Sequence, residues 1–452
     1  MRSLSQRQAR TTFYTRISES QKPATRIALY SHDTQGLGHI RRNLAIAQAL
    51  HTSKLSLSIL LISGTQLGAA FDMPNGIDII SLPAVEKAAN GHYRAKSLPM
   101  SLANLIKLRG DTIRAALAAF APHLLIVDKV PAGFQNELLP ALKLLKTRGG
   151  TKFVLGWRDI LDDPATQRRE WARRNELPIV RSYYDAIWVY GDPTVYNLVD
   201  AYALEPAIAE KVRFTGYLDR SQNQPAPQPT ATVSPAPTPD NGIAPPRKIL
   251  CMLGGGQDGV ALAEAFVQAQ MPSGAQATLL TGPYLPTATF DRLRAAAAEA
   301  NVELIRFTPT PQDLLCQADR IIAMGGYNAV CEILALGKPA LIVPRVQPRR
   351  EQWIRAARLQ EMGWIDCLHP QDLTPAALAA WLRRADPISA HPRPEIDLDG
   401  LRRLPKLAEA LLRRPADKPA ASPEAGPVTT PGMSRARAYV VAVQTDLAAP
   451  MR

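Results

Sequence analysis

The stretch SHDTQGLGHIRRN at 31–43 sets two glycines, Gly36 and Gly38, just ahead of an imidazole, His39. It follows an apolar run, RIALYS at 26–31, and opens a helical pattern. Glycines in such a place permit a tight turn with positive φ and close approach of the backbone to a ligand. The free amides of a helix start suit an anion or another polar group. An imidazole that titrates near neutrality is the usual general base for activating a hydroxyl. Taken alone, His39 reads equally as a helix-capping side chain. Arg41 stands three residues after Gly38, where a dinucleotide fingerprint needs its third glycine, which disfavours a dehydrogenase site.

Three further loops follow the same plan. LGGGQDG at 253–259 puts Gly254, Gly255 and Gly256 between an apolar run and a helical pattern. It lacks the Lys-Ser/Thr ending of a P-loop, so its amides face a ligand in some other way. IIAMGGYNAVCEILALGKP at 321–339 places Gly325 and Gly326 at a helix start and Glu332 about two turns in. A single carboxylate cannot cage a metal, but it can accept hydrogen bonds from the paired hydroxyls of a ribose. The last loop, within 343–364, is shaped by Pro344 and Pro348 and leads into the helical pattern REQWIRAARL. Glu351, Gln352 and Arg355 fall near its start, and Glu351 suits the helix dipole there. Arg345, Arg349 and Arg350 are available to phosphate or acceptor groups.

Something must hold these loops in register. Both halves of the chain alternate short Val-, Ile- and Leu-rich runs with helical patterns, which implies parallel sheets covered by helices on both faces. Ligands of such sheets sit beyond the carboxyl ends of the strands, where these loops lie. Residues 221–246, SQNQPAPQPTATVSPAPTPDNGIAPP, cannot form a core and read as a Pro-rich flexible linker. The expected organisation is a disordered extension over 1–24, a first α/β domain over 25–220, the linker over 221–246, a second α/β domain over 247–414 and a low-complexity tail over 415–452. Two doubly wound parallel-sheet lobes facing a cleft follow.

The net charge of +13 over 452 residues favours anionic partners. No aromatic interleaving or recognised module accompanies it, so nucleic acid is not expected. Four dispersed cysteines, Cys251, Cys316, Cys331 and Cys367, read as buried thiols of a reducing compartment. No apolar run approaches a membrane span. The Arg- and Ser-rich first 24 residues lack the apolar core of a secretory signal. A cytoplasmic location is therefore expected.

The glycine triplet 254–256, Phe307-Thr308 after a strand, MGGYNAVCEILALGKPALIVP and EQWIRAARLQEMG together resemble the C-terminal lobe of family 28 glycosyltransferases. GLGHIRRNLAIAQAL resembles the N-terminal segment of that family. The whole chain looks most like bacterial family 28-like predicted glycosyltransferases, whose N-terminus reads YSHDTxGLGHxRRNLAIA. The resemblance covers about 25–220 and 247–370. It implies a GT-B fold and inverting, metal-independent hexosyl transfer from a nucleotide sugar, most often a UDP-sugar, with no cofactor. It implies that Glu332 binds the donor ribose and that the backbone of Thr308 meets the base. Gly254, Gly255, Gly256, Gly325, Gly326 and Asn328 would line the diphosphate and sugar, and Glu351 and Gln352 would touch sugar hydroxyls. His39 is the implied base, near the acceptor. Met324 stands where the family has a cationic residue, a role that Arg345 is expected to take over.

The segments VDKVPAG at 127–133 and GWRDILDDP at 156–164 look like acceptor-side loops. They add Arg158 and Asp162 to Gly36, Gly38 and Arg41 on that side. Asp128, Asp159 and Asp162 are the alternatives to His39 as base, or are acceptor ligands, and neither loop repeats a metal-binding pattern. The expected acceptor is a glycan or a lipid-linked sugar in envelope or polysaccharide synthesis, and the basic surface suits peripheral contact with the membrane face. Two other readings use the same residues: a hydrolysing nucleotide-sugar 2-epimerase-like enzyme, and a nucleotide-sugar-binding protein without turnover.

Overall fold

A computed structural model of the chain describes residues 24–32, 38–52, 56–65, 73–87, 92–220, 248–384 and 394–413. The first sheet is built from β1 (Thr25–Ser31), β2 (Leu57–Ser63), β3 (Ile77–Ser81), β6 (Leu124–Asp128), β7 (Lys152–Arg158), β8 (Ala186–Tyr190) and β9 (Val212–Phe214). A small antiparallel pair, β4 (Val85–Lys87) and β5 (Tyr93–Ala95), sits apart from it. The seven strands run parallel in the order β3-β2-β1-β6-β7-β8-β9. The second sheet holds β10 (Lys248–Met252), β11 (Gln276–Leu280), β12 (Val302–Ile305), β13 (Arg320–Ala323), β14 (Ala340–Ile342) and β15 (Asp366–Cys367). Its parallel order is β12-β11-β10-β13-β14-β15. The central strands are apolar up to their carboxyl ends because helices cover both faces: β6 and β8 are buried at every residue, and β6 ends in the buried Asp128.

In each sheet the strand order reverses next to the first strand, between β1 and β6 and between β10 and β13. Such reversal points splay the following loops apart and open a crevice at the carboxyl ends. The loops after β1, β6, β10 and β13 carry His39, Lys129, Gly254 and Gly325 respectively. Topology therefore brings together four stretches spread along the chain from position 39 to position 325. The expected linker 221–246, the extension 1–23 and the tail from 414 lie outside the described residues, as does Gly36.

Residues 247–414, expected as one second lobe, include a segment that crosses back to the first. Helix Gly400–Leu412 buries Leu401, Leu404, Ala408 and Leu411 in one apolar cluster with Leu44, Ala45 and Ala49 of helix Gly38–His51. Tyr217 N donates to Asp397 O at 2.8 Å, and Leu218 bridges Asp399, so the chain end is stitched back onto the first lobe. Gly400 makes this possible, since a Cβ there would lie 2.6 Å from Tyr217 O. All four cysteines are free; Cys251 and Cys331 are buried, but Cys316 is exposed, against expectation, because it lies near the end of helix Pro311–Gln317. No helix among the described residues is long and apolar enough to cross a membrane.

Beneath the first crevice lies a buried ion pair. Arg109 Nε and Nη2 donate to Glu137 Oε2 and Oε1 at 2.6 and 2.7 Å, and both side chains are fully buried. Tyr30 OH donates to Glu137 Oε1 at 2.5 Å, and Arg109 also reaches Pro83 O and His32 O. The pair thus fixes the end of β1 against helix Leu102–Phe120. Removing one partner leaves a buried charge uncompensated, which typically costs about 3–5 kcal/mol. Arg109→Met is expected to destabilise by about that amount, whereas Arg109→Met with Glu137→Leu recovers part of the loss. Urea unfolding followed by circular dichroism checks this, and equal midpoints for the single and double variants would contradict it.

Candidate active site

Helix Gly38–His51 starts at the mouth of the first crevice, and its first turn points His39 at the end of β6. His39 Nδ1 hydrogen-bonds Asp128 Oδ2. Arg42, one turn on, donates through Nη2 to Asp128 Oδ1 and Oδ2 at 2.7 and 2.6 Å. Arg42 and Asp128 are both buried. Burial alone would raise the Asp128 carboxyl, but Arg42 and His39 outweigh it and hold it well below the ordinary carboxylate range. An acceptor-only carboxylate requires a proton on the imidazole nitrogen that faces it, so Nδ1 carries the hydrogen and Nε2 is left as the basic atom. Arg42 Nη2 lies 3.0 Å from His39 Nδ1 because both converge on the same carboxylate. The neighbouring His32 ring is 4.9 Å away and burial keeps it neutral.

Asp159, the other expected alternative base, has a different role. Its carboxylate takes Arg355 Nε at 2.7 Å and Nη2 at 2.6 Å, and Arg355 is fully buried. Tyr217 OH adds a bond at 3.0 Å, and Arg355 Nη1 donates to Gly325 O at 2.8 Å. Asp159 is therefore a structural anion joining the first lobe to helix Glu351–Glu361 of the second. Tyr327 stands between the two buried guanidiniums, each 5.7 Å from its ring centre. Two cations on one π-face system hold the start of helix Tyr327–Leu336 against the first lobe.

The residues expected on the donor side gather on the facing wall. Gly254 and Gly256 have φ of 71° and 89°, which only glycine adopts without strain. A Cβ at Gly256 would strike Thr281 O, whereas Gly254 and Gly326 face open space. Gly325 packs so closely on Gln352 that a Cβ would meet its backbone at 3.2 Å. Gly326 caps helix Tyr327–Leu336 with no side-chain bond, leaving the first-turn amides to a ligand. Glu332 is buried, which raises its pKa; its Oε1 accepts from Gln312 Nε2 at 2.8 Å and Arg220 Nη1 at 3.1 Å. Arg41 Nη2 reaches Thr308 O at 3.4 Å, and Asn328 Nδ2 donates to Gly38 O at 3.1 Å. The expected ribose and base positions thus meet the first lobe's own cations.

Arg345 does not stand free to replace a missing cation. It pairs with Asp258 at 2.8 Å and with Glu351 Oε1 at 2.6 Å, and its backbone amide donates to Gln352 Oε1 at 3.0 Å. Asp162 accepts from the Arg350 amide at 2.8 Å and lies 3.5 Å from Arg349. Arg158 Nε is buried without a hydrogen bond. Among the described residues no three His, Cys, Asp or Glu side chains cluster as metal ligands would. The sequence reading missed Arg42, Gln312 and Arg220 as site residues. The spacing of His39 and Arg42 on one helical face was the one local signal for any of them.

Two parallel α/β sheets with facing crevices and glycine-lined helix starts define a chain of the GT-B type. It is similar in fold to the glycotransferase of kitacinnamycin, with a TM-score of 0.53, 17% identity, and coverage of 86% of this chain and 100% of that one. Residues 249–396, within the second lobe, match the glycosyltransferase family 28 C-terminal domain. An uncharacterized glycosyltransferase of Methanosarcina mazei is 23% identical over 85% of this chain and 97% of its own length. A UDP-N-acetylglucosamine--N-acetylmuramyl-(pentapeptide) pyrophosphoryl-undecaprenol N-acetylglucosamine transferase of Haemophilus influenzae is 32% identical over 82 residues. That match covers 18% of this chain and 23% of the relative's length.

The depressed Asp128 pKa has a consequence for stability. The carboxylate contributes stability that is fully present above its unfolded pKa of about 3.9 and is lost as pH falls towards the folded value. Asp128→Asn is expected to lower the melting temperature at pH 7, since Arg42 then lacks its counter-charge, and to flatten the loss of stability below about pH 4. Melting curves between pH 7 and pH 2.5 check this. A variant with an undiminished acid slope would show that Asp128 is not the responsible group.

Proposed function

We propose that the protein is an inverting glycosyltransferase that moves a hexose from a nucleotide sugar, a UDP-sugar in the leading reading, to a hydroxyl of a glycan or lipid-linked acceptor. The observation that carries this reading is the His39–Asp128–Arg42 array facing glycine-lined helix starts across one cleft. The acceptor oxygen attacks the anomeric carbon while His39 Nε2 takes its proton. The bond from that carbon to the diphosphate oxygen breaks, and the nucleoside diphosphate leaves with the electron pair. Asp128 stays ionised, keeps the imidazole in the required tautomer and stabilises the imidazolium. Amides at 254–256 and at the start of helix Tyr327–Leu336 meet the charge that develops on the leaving group. This stabilisation comes from fixed dipoles, which supports a metal-independent transfer. Glu332 accepts from the ribose, and Gln312 and Arg220 hold its carboxylate in place.

A lipid-linked acceptor accords with one surface feature. Of the large apolar side chains exposed among the described residues, Leu98, Met100 and Leu108 fall within one short stretch of the first lobe. Arg94, Lys96 and Lys107 flank them, a combination that suits peripheral binding to an anionic cytoplasmic leaflet. Co-sedimentation with anionic vesicles is expected for the wild type and reduced at least several-fold in Leu98→Glu/Met100→Glu. Equal sedimentation of both would remove the membrane part of the reading.

The transfer itself is tested by a nucleotide panel. Melting shifts with UDP-, GDP-, ADP- and TDP-sugars are expected for one nucleotide series and absent in Glu332→Ala. A ligand at one hundred times its Kd adds roughly 2.7 kcal/mol of stability. His39→Ala is expected to keep the shift and lose roughly 100- to 10,000-fold in turnover. Absence of any shift at millimolar nucleotide would defeat the reading. Release of free sugar without an acceptor would replace it with the 2-epimerase-like reaction.

A further inference from the structure

β6 and β7 are neighbours, and each ends in adjacent charged residues: Asp128-Lys129 and Arg158-Asp159. Both carboxylates are locked by buried arginines, Asp128 by Arg42 and Asp159 by Arg355. The two adjoining cations have no such partner. Among the described residues neither Lys129 nor Arg158 makes a side-chain hydrogen bond or ion pair, and Arg158 Nε is buried without one. Lys129 is also held at φ 67°, in the left-handed region that a lysine rarely adopts, with its amide bonded to Gly156 O at 2.8 Å. A strained backbone that presents an unpaired cation to a cleft is uncommon unless the cation is used.

The second lobe closes the same space with more unfinished bonding. Glu351 Oε2 is buried there without a hydrogen bond, although Oε1 reaches Arg345, and Arg349 Nη1 has only an ion pair with Asp162 Oδ2 at 3.5 Å while its Nη2 reaches Glu170. Lys129, Arg158 and Glu351 act on one another electrostatically, so the strand ends of the first lobe and the start of helix Glu351–Glu361 share one charged neighbourhood. Burial first, then Arg158 and Arg349, push the Lys129 amine down to about 7. Cations crowded without enough acids are stabilised when an anion joins them, and guanidinium forks match carboxylate and phosphate oxygens.

The geometry points to a binding site for an anionic substituent of a sugar substrate, a carboxylate or phosphate held by Lys129 and Arg158 beside His39, with Glu351 Oε2 accepting from an adjacent hydroxyl. This rests on the glycosyltransferase reading and adds to it that one substrate is an acidic or phosphorylated sugar. The amides at 254–256 and 326–328 belong to the donor diphosphate, so this site is a separate one. The anion belongs either to the donor's sugar or to the acceptor, and binding measurements separate the two.

Calorimetry on the full chain would compare UDP-glucuronate with UDP-glucose, and then D-glucuronate and glucose 6-phosphate with glucose on protein saturated with UDP. Preference for UDP-glucuronate assigns the anion to the donor; binding of an acidic sugar on top of UDP assigns it to the acceptor. In either case Lys129→Asn, which tolerates the left-handed backbone, and Arg158→Gln are expected to weaken the acidic ligand about tenfold each. Both variants should keep the wild-type affinity for UDP, which also shows that they fold. UDP binding without any preference for acidic over neutral sugars, or a preference that survives in both variants, would overturn the anion site and leave the transferase reading standing. An acidic-sugar preference lost in the variants, in a protein that binds no nucleotide, would sustain the site and overturn the transferase reading.

Discussion

The ion pair between Asp159 and Arg355 joins the two lobes through the bottom of the cleft, and the site depends on it. Taking two charges out of water is expensive, and attraction repays it only where the remaining hydrogen-bonding capacity is also met. Here it is met: Asp159 also receives Tyr217 OH, and Arg355 also donates to Gly325 O. That last bond matters most for function. It fixes the glycine turn after β13, from which helix Tyr327–Leu336 starts, relative to a strand end in the other lobe. Tyr327, between Arg355 and Arg42, carries the constraint to the Asp128–His39 pair. The imidazole and the helix amides across the cleft are thereby set by one connected polar network.

The same network sorts the cleft's charges by role. Asp128, Asp159 and Glu137 each sit on a bidentate arginine and act by holding geometry. Glu332 bonds through Oε1, Glu351 Oε2 is buried without a hydrogen bond, and so is Arg158 Nε. Buried polar groups are almost always satisfied, so the unsatisfied Arg158 Nε and Glu351 Oε2 are the observations on which the proposed anion site rests.

The resemblance to family 28 was readable because its motifs are local: a glycine turn, a helix start and a carboxylate two turns later all fall within about twenty residues. The parallel sheets were readable for a similar reason, since strands buried on both faces leave continuous apolar runs. Helix Gly400–Leu412 has its apolar residues at helical spacing, yet nothing local says that they pack on helix Gly38–His51. Arg345 looked like a free cation in the sequence and is doubly paired in the fold.

The sequence by itself determined the alternation of strands and helices, the positions of the glycine turns, and His39 and Glu332 as residues of interest. These are properties of neighbouring residues, governed by backbone conformation and hydrophobic period. Only the tertiary structure decided which carboxylate orients His39, which one bridges the lobes, and which cations remain unpaired. Those outcomes depend on partners 86 to 196 residues away, brought together by strand order. A charge's role is set by what it meets after folding, because burial and pairing, not residue type, fix its energy.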